Sequence, residues 1–179
     1  IDTLSLVVTN QYGSDSAYAV VTVHHCPATL QVPFAESFNN VSDLECWKRW
    51  SFYEGSNSYG AWVPYNNYMV ARDSSSWLIT PVIEIPSYAT GLNLKMKVAG
   101  SDNPPYTHFC ALVSTSGCLD RSYFTDTVFH GVPLYQWEHI SIPLTQYAGQ
   151  NINIAFVNSG WVFPYIRIDD LQIDYDSIP

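Results

Sequence analysis

The chain has 179 residues, with 7 Lys+Arg against 16 Asp+Glu and a formal net charge of −9. That length suits one domain, or one domain plus a fragment. So few basic side chains argue against a nucleic-acid binder, which needs clustered Lys and Arg, and against an anionic membrane surface.

Charged residues make up 13% of the chain, aromatics 15% and hydrophobics 47%. Such a chain can bury a core and is not disordered in composition. No apolar run approaches the ~20 residues that span a bilayer, so membrane insertion is not expected. The chain has no initiator Met and no charged-plus-apolar leader, which reads as a mature or excised fragment. Cys26, Cys46, Cys110 and Cys118 allow three pairings and form no CxxC. An even cysteine count with few Lys and many Tyr, Asn and Ser suits an exported protein.

Thr3 to Asn10 and Ser16 to His25 are β-rich runs flanking a turn cluster at Gln11–Asp15, which predicts a hairpin. A hairpin alone is not stable in water. Residues 1–26 are therefore read as the last strands of a truncated domain, and 27–179 as a second domain. A short helical turn is expected over Val41 to Cys46, with Ser42 as N-cap and Glu45 three residues later. Strand-like segments follow at Phe34–Phe38, Ala61–Val70, Ser76–Ile85, Leu92–Val98, His108–Ser114, Tyr123–His130, Trp137–Ile142, Asn151–Val157 and Tyr165–Asp174. Short strands punctuated by proline mean an all-β sandwich, jelly roll or barrel. In the last segment Ile166 and Ile168 share one parity, while Leu171, Ile173 and Tyr175 share the other. The phase flips at Asp169-Asp170, which predicts a β-bulge there. Two successive carboxylates at a bulge repel unless a cation or an arginine neutralises them.

Several stretches carry a family resemblance. They are Phe34-Ala35-Glu36-Ser37-Phe38, Cys46-Trp47, Gly60-Ala61-Trp62, Trp77-Leu78-Ile79-Thr80-Pro81 and, near the end, Ile168-Asp169-Asp170-Leu171. Residues 34–179 resemble the cleaved-adhesin, or choice-of-anchor J, jelly-roll modules of Bacteroidetes surface proteins, including the adhesin regions of gingipain-type proteases. MAM domains are more distantly similar. The phrase from Val8 to Ala17 is similar to the end of a PKD- or Ig-like domain.

The resemblance implies a jelly-roll β-sandwich of the galactose-binding or MAM-like kind, secreted or at the outer cell surface. It implies a non-catalytic module that binds glycan or a host or matrix protein, alongside other domains of the same polypeptide. It also implies a structural calcium, for which Glu36 and Asp170 match the holding positions, and Asp169 and Asn39 add donors. An early disulfide, as in MAM-like domains, favours pairing Cys26–Cys46, with Cys110–Cys118 closing a short loop. Trp62 and Trp77 are expected in the core. Exposed aromatic rings suit sugar or protein ligands, and Tyr59, Tyr65, Tyr106 and Trp161 are the candidate contacts.

Two rival readings remain. One is a structural spacer or accessory domain of a larger secreted enzyme. The other is a carbohydrate-active enzyme, which would need two carboxylates ~5–9.5 Å apart across a cleft. The sequence has no GxSxG, HExxH or P-loop to support catalysis.

Overall fold

The computed structural model describes residues 2–21, 29–51, 62–101, 108–160 and 165–176. Strands β1 (Asp2–Asn10) and β2 (Gly13–Val21) form an antiparallel hairpin that pairs with no other described strand. Leu6, Val7, Val8 and Tyr18 on it are all exposed.

The remaining strands are β3 (Leu30–Gln31), β4 (Phe34–Glu36), β5 (Lys48–Trp50), β6 (Val63–Tyr65), β7 (Tyr68–Ala71), β8 (Ser76–Ile79), β9 (Ile83–Glu84), β10 (Thr90–Ala99), β11 (Phe109–Ser114), β12 (Asp126–Gly131), β13 (Glu138–Pro143), β14 (Asn151–Asn158) and β15 (Ile166–Asp176). A front sheet of six strands runs β13-β10-β15-β7-β6, with β4 added onto β15. A back sheet of seven runs β12-β11-β14-β8-β5, with β9 on β14 and β3 on β9. The chain changes sheet between β10 and β11, again between β12 and β13, and at each step to β15. The result is the expected all-β sandwich of jelly-roll type.

Local sequence explains the breaks. The stretch read as one strand up to Val70 is a hairpin of β6 and β7, because Asn66 and Asn67 turn the chain at φ of 47° and 64°. Asparagine tolerates that left-handed backbone better than most residues. The stretch read as one strand over Ser76–Ile85 splits into β8 and β9 at Pro81, which cannot donate to a ladder. Pro64 and Pro143 lie in β6 and β13, the two ends of the front-sheet order. The expected helical turn is a 3-10 helix over Val41–Cys46 that starts one residue before the proposed cap.

The core lies between the sheets. Met69, Leu94, Met96, Val98, Ile166, Ile168, Leu171 and Ile173 face Leu78, Phe109, Val113, Ile154 and Phe156. The Phe109 and Phe156 rings stack at 6.2 Å, and each buried ring of this kind contributes roughly 1.5–3 kcal/mol. Trp62 is fully buried, as expected, and its indole N–H donates to the Ser76 carbonyl at 3.2 Å. Trp77 is not in this core. It packs edge-on against Phe124 on the outer side of the back sheet, with ring centroids 5.9 Å apart.

That difference sets the two outer faces apart. The back sheet's outer face buries Ile79, Ala155 and Val157 beneath Phe124 and Leu119, from the segment joining β11 to β12. Among the described residues the front sheet has no such cover over Lys95, Asp170 and Gln172, which are exposed.

Candidate functional site

The open face of the front sheet holds two adjoining regions. Residues directly opposite on paired strands point to the same face. The ladder therefore puts Tyr65 with Tyr68, Lys97 with His139 and Asp169, and Lys95 with Gln172 on this side.

One region is aromatic. Tyr65 and Tyr68 meet edge to face at 5.8 Å, and Tyr68 meets Trp137 at 5.6 Å. Trp137 reaches this place because the segment before β13 folds over the sheet. The Gly100 N–H donates to the Leu134 carbonyl, and the Leu134 N–H donates to Glu138 Oε1, each at 2.6 Å. Arg167 lies beneath. Its Nη2 donates to the Tyr135 carbonyl at 2.6 Å and to Gly100 at 3.4 Å. Its Cζ sits 5.3 Å from the Tyr135 ring centroid, 5.2 Å from Trp137 and 5.6 Å from Tyr165. Arg72 sits 5.6 Å from the Tyr65 centroid and 6.0 Å from Tyr165, within cation–π reach. Tyr65 is 46% exposed, Tyr135 55% and Trp137 39%, so the rings present area to solvent. Burial, then a hydrogen bond to Tyr165, holds the Tyr68 phenol above its ordinary range.

The other region is polar. A groove of about 410 Å³ is lined by Ala35, Glu36, Ser37, Lys95, Met96, His139, Asp170, Leu171 and Gln172. Asp169-Asp170 is the expected bulge. Lys95 pairs with Gln172 and Lys97 with Asp169, so β15 carries an extra residue between them. Asp170 adopts a φ of 47°, and its N–H donates to Asp169 Oδ1 at 2.8 Å. Lys97, on the neighbouring strand, reaches Asp170 at 2.5 Å. That pairing raises the Lys97 ammonium above its ordinary range, the hydrogen bond first. Burial pushes the Asp169 carboxyl up. The neutralising partner is thus a lysine, while Arg167 is engaged elsewhere.

The proposed calcium residues come together only in part. Glu36 and Asp170 line the same groove, whereas Asn39 and Asp169 do not. The Phe38 N–H donates to Glu36 Oε1 at 2.6 Å, and Asn39 Nδ2 donates to Ser37 Oγ at 2.9 Å. Among the described residues no three His, Cys, Asp or Glu side chains form a metal-holding group. Calcium needs six or more oxygens with charged carboxylates among them; of the proposed set Glu36 and Asp170 share the groove, and Asp170 is ion-paired to Lys97.

The expected Cys110–Cys118 disulfide is not made, because both are free thiols. Cys110 is the second residue of β11, and its Sγ lies 3.7 Å from Ser159 Oγ. Cys118 stays at the strand's other end, where its N–H donates to Ser116 Oγ at 3.1 Å, and Ser116 Oγ lies 2.9 Å from Ser114 Oγ. The Cys110–Ser114 stretch spans ~13 Å, beyond the ~7 Å a disulfide allows between Cα atoms. Burial pushes the Cys110 thiol up. Cys46 is disulfide-bonded. Cys26 lies outside the described residues.

Of the proposed aromatic contacts, Tyr59, Tyr106 and Trp161 lie outside the described residues. Tyr65 joins the cluster. Sequence reasoning passed over Tyr135, Trp137, Arg72 and Arg167. A local signal existed in Tyr135-Gln136-Trp137, two aromatics at strand parity ahead of an amphipathic segment.

No protein-family model matches the sequence, and no curated protein is found similar to it. Solved structures share the fold. The K1 cleaved adhesin domain of Lys-gingipain from Porphyromonas gingivalis W83 superposes with a TM-score of 0.60 at 20% identity, over 82% of this chain and 99% of that one. The K3 cleaved adhesin domain of the same protein gives 0.59 at 18% identity, over 79% and 98%. A family 29 carbohydrate-binding module complexed with cellulohexaose gives 0.53 at 12% identity, over 79% and 91%.

Proposed function

We propose that the chain is a non-catalytic recognition module, exported to the cell exterior, that binds glycan on the open face of the front sheet. The observation that carries this reading is the cluster of part-exposed rings from Tyr65, Tyr135 and Trp137 beside a polar groove. Sugar rings offer apolar faces that stack on aromatics and hydroxyls that need polar partners. This face supplies both side by side. The ladder holds Tyr65, and the hydrogen bonds at Leu134 and Tyr135 hold the segment that carries Tyr135 and Trp137, so the platform is preorganised and loses little entropy on binding. A solved neighbour of the same fold that holds cellulohexaose supports the reading.

Catalysis fits the groove less well. Its two carboxylates, Glu36 and Asp170, are engaged by the Phe38 N–H and by Lys97. A glycosidase pair needs one carboxyl to give a proton and the other to act as base or nucleophile.

The test is isothermal titration against a panel of soluble plant, bacterial and host polysaccharides, with reducing-end release measured in parallel. Binding without release is expected. Release of reducing ends would replace this reading with an enzyme. Binding to none of the panel, by folded protein, would remove it.

A further inference from the structure

Resting on the glycan reading, we propose that the sugar taken by this face carries an anionic group, a uronate carboxylate or a sulfate ester, and that Arg72 reads it. The chain has seven basic side chains against sixteen acidic ones. Lys95 and Lys97 are ion-paired to Asp174 and Asp170. Arg121 stacks 3.2 Å over Trp50. Arg72 and Arg167 instead flank one ring, that of Tyr165, at 6.0 and 5.6 Å, and neither makes a carboxylate ion pair among the described residues.

The two arginines differ. Arg167 is built into the fold, with Nη2 spent on two backbone carbonyls and Nε buried without an acceptor. Arg72 has ring contacts only. Among the described residues it makes no hydrogen bond and no ion pair, not even with its chain neighbour Asp73. A guanidinium within cation–π reach of two rings, with no hydrogen bond of its own, has N–H donors to offer a planar anion in bidentate geometry. Arg72 is only part-buried, so water satisfies its N–H donors until a ligand anion replaces it. The exposed Tyr65 ring beside it offers the adjoining stacking surface.

The experiment compares four probes by affinity electrophoresis: polygalacturonate, the same polymer after carboxyl reduction, dextran sulfate and dextran. The expected result is that at least one acidic polymer binds about tenfold or more tightly than its neutral counterpart, as for a charge-assisted hydrogen bond. The preference weakens as salt rises. Which acidic polymer wins identifies the anion. Arg72→Gln is expected to erase the ratio, and Arg72→Lys to restore it in part, since charge returns without the fork. Equal binding of acidic and neutral polymers overturns the anionic assignment and leaves the glycan reading standing. Binding of none, by protein whose circular dichroism shows it folded, overturns the anionic assignment, and the polysaccharide panel then decides the glycan reading.

Discussion

Lys97 and Asp170 are joined across the bulge of β15 by a 2.5 Å ion pair between neighbouring strands. The pair neutralises one of two adjacent carboxylates and holds Asp170 at a φ of 47°. An L side chain there costs about 1–2 kcal/mol, which glycine avoids. Asp170→Gly and Asp170→Ala both lose the ion pair, so they differ in backbone strain. Asp170→Gly is expected to be more stable than Asp170→Ala by about 1 kcal/mol in urea titration. Equal midpoints would mean that the bulge relaxes without the carboxylate.

Asp169 responds to pH in a defined direction. Burial raises its carboxyl above the ordinary carboxylate range. A carboxyl whose folded pKa exceeds its unfolded pKa binds its proton more tightly in the folded state. Its contribution therefore favours folding at low pH and opposes it above the folded pKa. Asp169→Asn removes that opposition and can still accept the Asp170 N–H. The variant is expected to melt higher than the parent at pH 7, with the gain vanishing below the ordinary carboxylate range. A lower Tm at pH 7 would contradict the assignment.

The calcium expectation rests on resemblance, and thermal unfolding tests it. With Asp170 paired to Lys97 and Glu36 occupied by the Phe38 N–H, adding calcium or EDTA is expected to leave Tm unchanged. A fall in Tm with EDTA that calcium reverses, and that Lys97→Ala leaves in place, would show a site built differently.

Thiol chemistry checks the cysteine assignment. Cys118 is exposed, whereas Cys110 is partly buried with its thiol pushed up. Only the thiolate reacts. Folded protein is expected to label quickly at Cys118 and slowly at Cys110, with both fully available in denaturant. Loss of both signals in denaturant without reductant would show that the two had paired.

Much of the fold was legible in the sequence, because a strand writes its burial with a period of two. The phase flip between Ile168 and Leu171 alone locates the bulge. Prolines marked breaks correctly, as at Pro81. The Asn66-Asn67 turn was missed because its signal is asparagine at positive φ rather than glycine. The site was less legible. Trp137 lies sixty-nine residues beyond Tyr68 in the chain, yet the two rings meet at 5.6 Å. Only the ladder through β10 and β15 brings them together. Likewise, nothing local to Asp170 names Lys97 as its partner. Cross-strand neighbours depend on register, and register is a property of the whole sheet.

Ligand is expected on the open face of the front sheet and not on the outer side of the back sheet. Trp137→Ala tests the first place, and Tyr123→Ala, an exposed ring on the 3-10 turn between β11 and β12, tests the second. Affinity for the best-binding glycan from the panel, measured by titration calorimetry, decides between them. The account predicts at least a tenfold loss for Trp137→Ala and an unchanged affinity for Tyr123→Ala. Unchanged affinity in Trp137→Ala, with a loss in Tyr123→Ala, would contradict it.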